Sequence, residues 1–210
     1  MAAPNERPEV FIMLCDFLSV CIHLILHARH VYPRDIFERR RHLDVTVFRS
    51  RHPELNEYVA QVVEGARQLM YRGEADALVI SIHGHGRGNT AVLERFRFDI
   101  RLTDSVGINA EALRTQLRGF LLKLQMCDSL LAPLPHGIGL SFSAEMHSNE
   151  TTSTEPLPAT LLTDWVEADL QHELSSITSA SDPCVVPLKS LTLDGFILAL
   201  SVLTNYPPPS

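Results

Sequence analysis

Three histidines in "CIHLILHARH" fall at helical spacing: His23, His27 and His30, at i, i+4 and i+7. On a helix they share one face, and two histidines a turn apart are what a zinc-binding helix presents. Zinc needs three or four convergent ligands. The other candidates, His83 and His85, lie far along the chain in a glycine-rich stretch. The neighbours of the three histidines suggest something plainer. Val10 to Tyr32 is mostly apolar, and its polar residues Asp16, Ser19, His23, His27 and His30 are spaced 3, 4, 4 and 3 apart. That is a single helical stripe, which predicts the solvated face of a helix otherwise buried. No metal site is expected, and a metal-dependent hydrolase built on these histidines is the disfavoured alternative.

The second chemical candidate is "HGHGRGN", with Gly84, Gly86 and Gly88 after an apolar run. A dinucleotide-binding turn needs G-x-G-x-x-G opening a helix. Here the third glycine comes one position early and a strand pattern follows, so a hairpin loop is expected. The chain has no G-x-x-x-x-G-K-[ST], G-x-S-x-G or H-E-x-x-H motif. Neither a nucleophile arrangement nor a cofactor is predicted, and the chain reads as a non-enzyme.

The elements that would carry these residues can be read from periodicity. A first helix ends near Tyr32-Pro33. A second starts at Pro53 and runs to Gly73, and a third opens at an Asn109 cap and continues to Pro133. Ala77–Ile82 reads as a buried strand. Ala91–Ile100 alternates, with Val92, Phe96, Phe98 and Ile100 inward, and Ile138 to Met146 alternates likewise. "ERRRH" (Glu38 to His42) reads as a solvated turn. The fold class is α+β, three helices packed on an antiparallel sheet. The domain expectation is a disordered stretch over 1–9 and one domain over 10–203, followed by a Pro-rich tail over 204–210. Within the domain lie a core (10–146) able to close by itself, a linker (147–160) and a β-rich segment (161–203).

With 210 residues, 25 acids and 18 bases, the chain is long enough for one domain with a proper core and carries a net charge of −7. That balance lacks the clustered cations that phosphate neutralisation needs, so direct nucleic-acid binding is not expected. Four scattered cysteines without C-x-x-C suggest reduced thiols in an intracellular protein. Asp16, Ser19 and His23 interrupt the first apolar segment and argue against a membrane span.

"CDFLSVCIHLILHARHVYPRDIFERRR" followed by "HPELNEYV", together with "LRGFLLKLQMCDSLL" and "VVPLKSLTL", closely resembles the HORMA-domain family over nearly the whole chain. Within it, the chain resembles the branch serving as accessory subunits of the translesion DNA polymerase zeta. The resemblance implies a nuclear, non-catalytic adaptor in DNA damage tolerance. Its mobile C-terminal segment, the family's "safety belt", would close over a proline-rich peptide of the polymerase's catalytic subunit. A spindle-checkpoint member trapping a mitotic regulator is the alternative inside the family.

Carried over by motif, Tyr58 of "HPELNEY", Trp165 and Tyr32 of "VYP" become peptide contacts. Arg118 of "LRGF" matches a dimer-face arginine. Asp128, on the same predicted helix, joins it as a surface for pairing with a second HORMA domain, as homodimer or heterodimer. Val185, Leu188 and Lys189 fit a surface that docks a Y-family translesion polymerase. Ala199 and Ser201 stand where larger residues are expected there and put that second partner in doubt.

Overall fold

The computed structural model describes residues 6–86, 89–102, 108–148, 184–193 and 196–204. Four helices, a short 3-10 turn and seven strands alternate along it: α1 (Glu6–Ala28), β1 (Phe37–His42), β2 (Val45–Ser50), α2 (Pro53–Tyr71), β3 (Ala75–His85), β4 (Thr90–Leu102), α3 (Ala110–Gln125), α4 (Cys127–Leu130), β5 (Gly139–Ser148), β6 (Cys184–Leu193) and β7 (Phe196–Thr204), with the 3-10 turn at Arg34–Ile36. β1 and β2 form a separate hairpin. The other five strands make one antiparallel sheet in the order β5-β3-β4-β7-β6. The α+β class stands.

The helix ends follow local chemistry. The Asn109 carboxamide accepts the backbone N–H groups of Glu111 and Ala112, both at 3.0 Å, capping α3. Pro53 opens α2, where its missing N–H costs nothing. α2 closes on Gly73 at φ +71°, with the Glu74 N–H reaching back to the Leu69 carbonyl.

α1 is the centre of the core. Leu14, Phe17, Leu18, Cys21, Ile22, Ile25 and Leu26 are essentially inaccessible. By length and composition α1 could cross a membrane, but here it is wrapped by protein. On one side lies the sheet, contributing Leu78, Ile80, Phe96, Phe98, Phe196, Leu198 and Leu200. On another side lies the β1–β2 hairpin.

Several expectations need correction. The histidine stripe is not a wet face, because the hairpin covers it. His23 is 2 % exposed, and the His27 ring stacks on Phe48 with centroids 3.7 Å apart and planes 7° from parallel. Only Asp16 and His30, at the stripe's ends, are exposed. "ERRRH" is a strand rather than a turn. The true turn is Leu43-Asp44, both at positive φ, as a two-residue hairpin loop requires. α1 starts at Glu6, inside the stretch expected to lack structure. The third helix breaks at Met126, so Cys127 and Asp128 sit on the short α4.

The segment read as separable contributes to the main sheet. β7 lies inside the sheet, hydrogen-bonded to β4 and β6, with Phe196, Leu198, Leu200 and Val202 all buried. Finally, a bulge displaces the register of β4. Ile82 pairs with Glu94 and His83 with Val92, leaving Leu93 as the extra residue. Leu93 and Glu94 are therefore the buried pair, and Val92 pairs with a residue of the opposite face.

The inward Glu94 meets Arg29, just past the end of α1, and both side chains are buried. Arg29 Nε donates to Glu94 Oε2 at 2.9 Å and Nη2 to Oε1 at 2.6 Å. Its remaining donors reach Asp128 Oδ1 at 2.8 Å and the Ala132 carbonyl at 2.6 Å. Burial pushes the Glu94 carboxyl up, and the Arg29 hydrogen bonds oppose that shift. Removing one partner strands a buried charge, which costs about 3–5 kcal/mol. Arg29→Met should lower stability by about that amount in urea unfolding, and Arg29→Met with Glu94→Leu should recover much of it. A single substitution costing less than about 1 kcal/mol would show that the pair does not hold the fold.

His23 gives a pH signature. Burial first, and the Arg49 charge second, lower it from 6.5 to about 4, and its Nδ1 has no hydrogen-bond partner. The folded protein therefore keeps His23 neutral where the unfolded chain protonates it. The stability from this neutral form is complete above pH 6.5 and is lost as pH falls toward 4, by about 3 kcal/mol in all. His23→Leu should flatten the decline of Tm between pH 6.5 and 4, measured by calorimetry. An unchanged slope would place the acid sensitivity elsewhere.

Candidate functional site

β5 is the outermost strand on its side of the sheet. It pairs only with β3, so its other edge has no strand partner among the described residues. Three aromatic rings gather beside that edge. Tyr32, after α1, and Tyr58, on α2, both approach Phe142 of β5 edge-on, at 6.3 and 5.4 Å between centroids. Tyr58 is 40 % exposed. Partial burial raises its phenol above the usual range, and a hydrogen bond from the backbone of Ala144 opposes the rise. Tyr32 is raised by burial and then by Tyr58. The two tyrosines named from the sequence are thus brought together on one strand edge, from elements 26 positions apart in the chain. Trp165 lies outside the described residues.

Phe142 was not singled out by sequence reasoning. It stood on the apolar face of a predicted strand, and alternation cannot say that the strand is an edge with aromatic neighbours. The Ala144 backbone is equally invisible in a pattern of side chains.

The other candidate residues are scattered. Arg118 is exposed on α3. Asp128 is on α4, and its half-exposed carboxylate is bound to Arg29, so the two belong to different helices. Of the β6 residues, Val185 is exposed, Leu188 is buried and Lys189 lies along α3. The Lys189 ammonium sits 5.6 Å from the Phe120 ring centre, and its stem fills the notch at Gly119. Ala199 and Ser201, on β7, are half-buried.

His83 and His85 form hydrogen-bonded pairs with hydroxyls. His83 Nε2 is 2.8 Å from Ser143 Oγ, and His85 Nε2 is 2.7 Å from Ser141 Oγ. The Ser143 hydroxyl also lies 3.3 Å from the Glu145 carboxylate. Among the described residues, no three His, Cys, Asp or Glu side chains converge as a metal site.

Comparison with known proteins agrees with this layout. The HORMA domain family matches residues 12–136. The human "mitotic spindle assembly checkpoint protein MAD2B" is 31 % identical over 188 residues, covering 87 % of this chain and 84 % of its own. The Arabidopsis thaliana "DNA polymerase zeta processivity subunit" is 29 % identical over 198 residues, covering 93 % and 86 %. Among solved structures, a chain of the mitotic checkpoint complex superposes with a TM-score of 0.75 at 18 % identity, over 94 % of this chain and 99 % of that one. C. elegans HTP-2 bound to the HTP-3 closure motif 1 superposes with a TM-score of 0.73 at 12 % identity, over 96 % and 88 %. At those identities the superpositions speak for the fold alone. The domain match spans more than half the sequence and the human relative nearly all of it: the chain belongs to the HORMA-domain family.

Proposed function

We propose that this protein is a non-catalytic adaptor that captures a partner peptide as an added strand on the free edge of β5. The observation that carries the reading is that edge itself, with Tyr32, Tyr58 and Phe142 beside it. Unpaired N–H and C=O groups supply main-chain hydrogen bonds to an extended peptide, and neighbouring pockets read its side chains. Tyrosine faces suit a proline-containing peptide, whose rings pack on aromatics and whose stiffness limits the entropy lost.

The topology supports a closing strap. β5 ends at Ser148 on one side of the sheet and β6 begins at Cys184 on the other. The width between these edges is four strand spacings, roughly 19 Å, while 35 intervening residues (149 to 183) can reach beyond ~100 Å. The segment thus has slack to pass around a bound strand. In this reading residues 161–203 form the belt, with Trp165 against the peptide. The named relatives favour the catalytic subunit of DNA polymerase zeta as the source of the peptide, and a nuclear role in damage tolerance. A Y-family polymerase on β6 is a weaker part of the reading, since Leu188 is buried and Lys189 occupied by α3. The alternative partner is a mitotic regulator, after the checkpoint relatives.

Trp165→Ala and Tyr58→Ala should each speed dissociation of a proline-containing peptide from the polymerase's catalytic subunit. An aromatic anchor accounts for about 2–4 kcal/mol, or roughly 30- to 1000-fold. Surface plasmon resonance reads the off-rate, and far-ultraviolet circular dichroism should stay unchanged. Unaltered release by both variants would sink the strand-capture site.

Arg118, exposed on α3 and away from the β5 edge in the chain, is assigned to pairing with a second HORMA domain. Arg118→Ala should weaken association in sedimentation at several concentrations while peptide affinity holds. Loss of peptide binding alone would reverse the assignment.

A further inference from the structure

β5, the strand with the free edge, has two faces that ask for different chemistry. On the face toward the helices, Leu140, Phe142, Ala144 and Met146 pack against the core. Alternation sets Ser141, Ser143, Glu145 and His147 on the opposite face. A strand added to β5 alternates in the same way. Its side chains on the helix side meet the rings of Tyr32, Tyr58 and Phe142. Those on the other side run past the two serines, Glu145 and His147.

Glu145 is the unbalanced member of that row. Its Oε1 lies 3.3 Å from the Ser81 and the Ser143 hydroxyls, beyond the usual length of a hydrogen bond between oxygens. The cations of this face are engaged elsewhere. Val79 of β3 pairs with Glu145 on one side and with Arg97 of β4 on the other. Arg97, however, holds Asp99 at 2.8 Å and donates to His147 at 3.1 Å. Arg95 stands in the next row, opposite Ser81, and His83 is bound to Ser143. Among the described residues the one ion pair on this face joins Arg97 to Asp99, and Glu145 belongs to none. Its inner neighbour in the sheet is the buried, apolar Val79. Its outer flank is the free edge of β5, the side on which an added strand would lie.

We propose that the segment captured on β5 carries a lysine or arginine on its face away from the helices, set beside Glu145. The ligand class is then an alternating segment. Apolar residues and proline face the tyrosines, and polar side chains around one basic residue face the other way. The proposal rests on strand capture at this edge. Opposite charges facing each other on neighbouring strands attract and like charges repel, so Glu145 also rejects an acidic residue at that register. The chain's net charge of −7 draws any cation at long range, but salt screens that pull, and only a pair in register depends on position.

The test uses the full chain and the proline-containing peptide of the polymerase's catalytic subunit, with each other position replaced singly by lysine and by glutamate. At one position facing away from the tyrosines, the lysine peptide should bind about fivefold more tightly than the glutamate peptide. Glu145→Gln, which keeps an acceptor for the Ser81 hydroxyl, should erase that ratio, and Glu145→Lys should invert it. Should the reversal disturb the circular dichroism spectrum, the glutamine variant decides alone. Glu111→Gln, on the exposed first turn of α3, should leave the ratio as in the parent and so separates a local pair from overall charge. A ratio that is flat along the peptide, that survives in Glu145→Gln, or that Glu111→Gln lowers equally would overturn the proposal. If the unsubstituted peptide binds while the scan is flat, strand capture stands and only the basic residue falls. If no member of the set binds, strand capture itself fails and the proposal falls with it.

Discussion

Three pieces of the chain that are remote in sequence meet at one guanidinium. Arg29 fixes the end of α1 to Glu94 on β4, to Asp128 on α4 and to the Ala132 carbonyl after it. A buried arginine tolerates no half measures, because every donor left unpaired in a low-dielectric interior costs more than a made bond returns. Alternation with Phe96 and Phe98 turns Glu94 inward, and the break at Met126 puts Asp128 on α4, within reach of Arg29.

The hairpin of β1 and β2 is the second constraint. A helix as apolar as α1 cannot leave one side open, and α2, α3 and the main sheet cover only the others. Phe37 and Phe48 supply that cover, taking His27 between edge-on and stacked contacts. The histidines are thus packing residues with polar tips, tolerated inside because desolvation holds them neutral.

How much of this was legible follows from which signals are local. The caps at Pro53 and Asn109 and the alternation of β4 and β5 are short-range chemistry, and the corresponding elements appear where the pattern put them. The hairpin was missed because Leu43-Asp44 carries none of the Gly or Asn that advertise a two-residue turn, and "ERRRH" is charged enough to pass for a loop. The burial of His23 was missed because its cover arrives from a different element. β7 was read as part of a detachable tail, since nothing in "FILALSVL" states which strand it pairs with. At the site, Tyr32 and Tyr58 came from family resemblance rather than periodicity. Their meeting on Phe142 needed the three-dimensional register.

The position of β7 has a consequence for how the molecule is made. β4 ends at Leu102, yet its neighbour in the sheet begins only at Phe196. During synthesis the chain emerges over seconds, and throughout that time the edge of β4 that β7 will pair with is an unsatisfied template. Sheet completion must wait until β7 has left the ribosome, a long-range closure of the kind that slows folding and invites chaperones to shield the exposed edge. The strand that seals the nascent sheet is the very one whose placement distinguishes a finished HORMA domain from a half-built one.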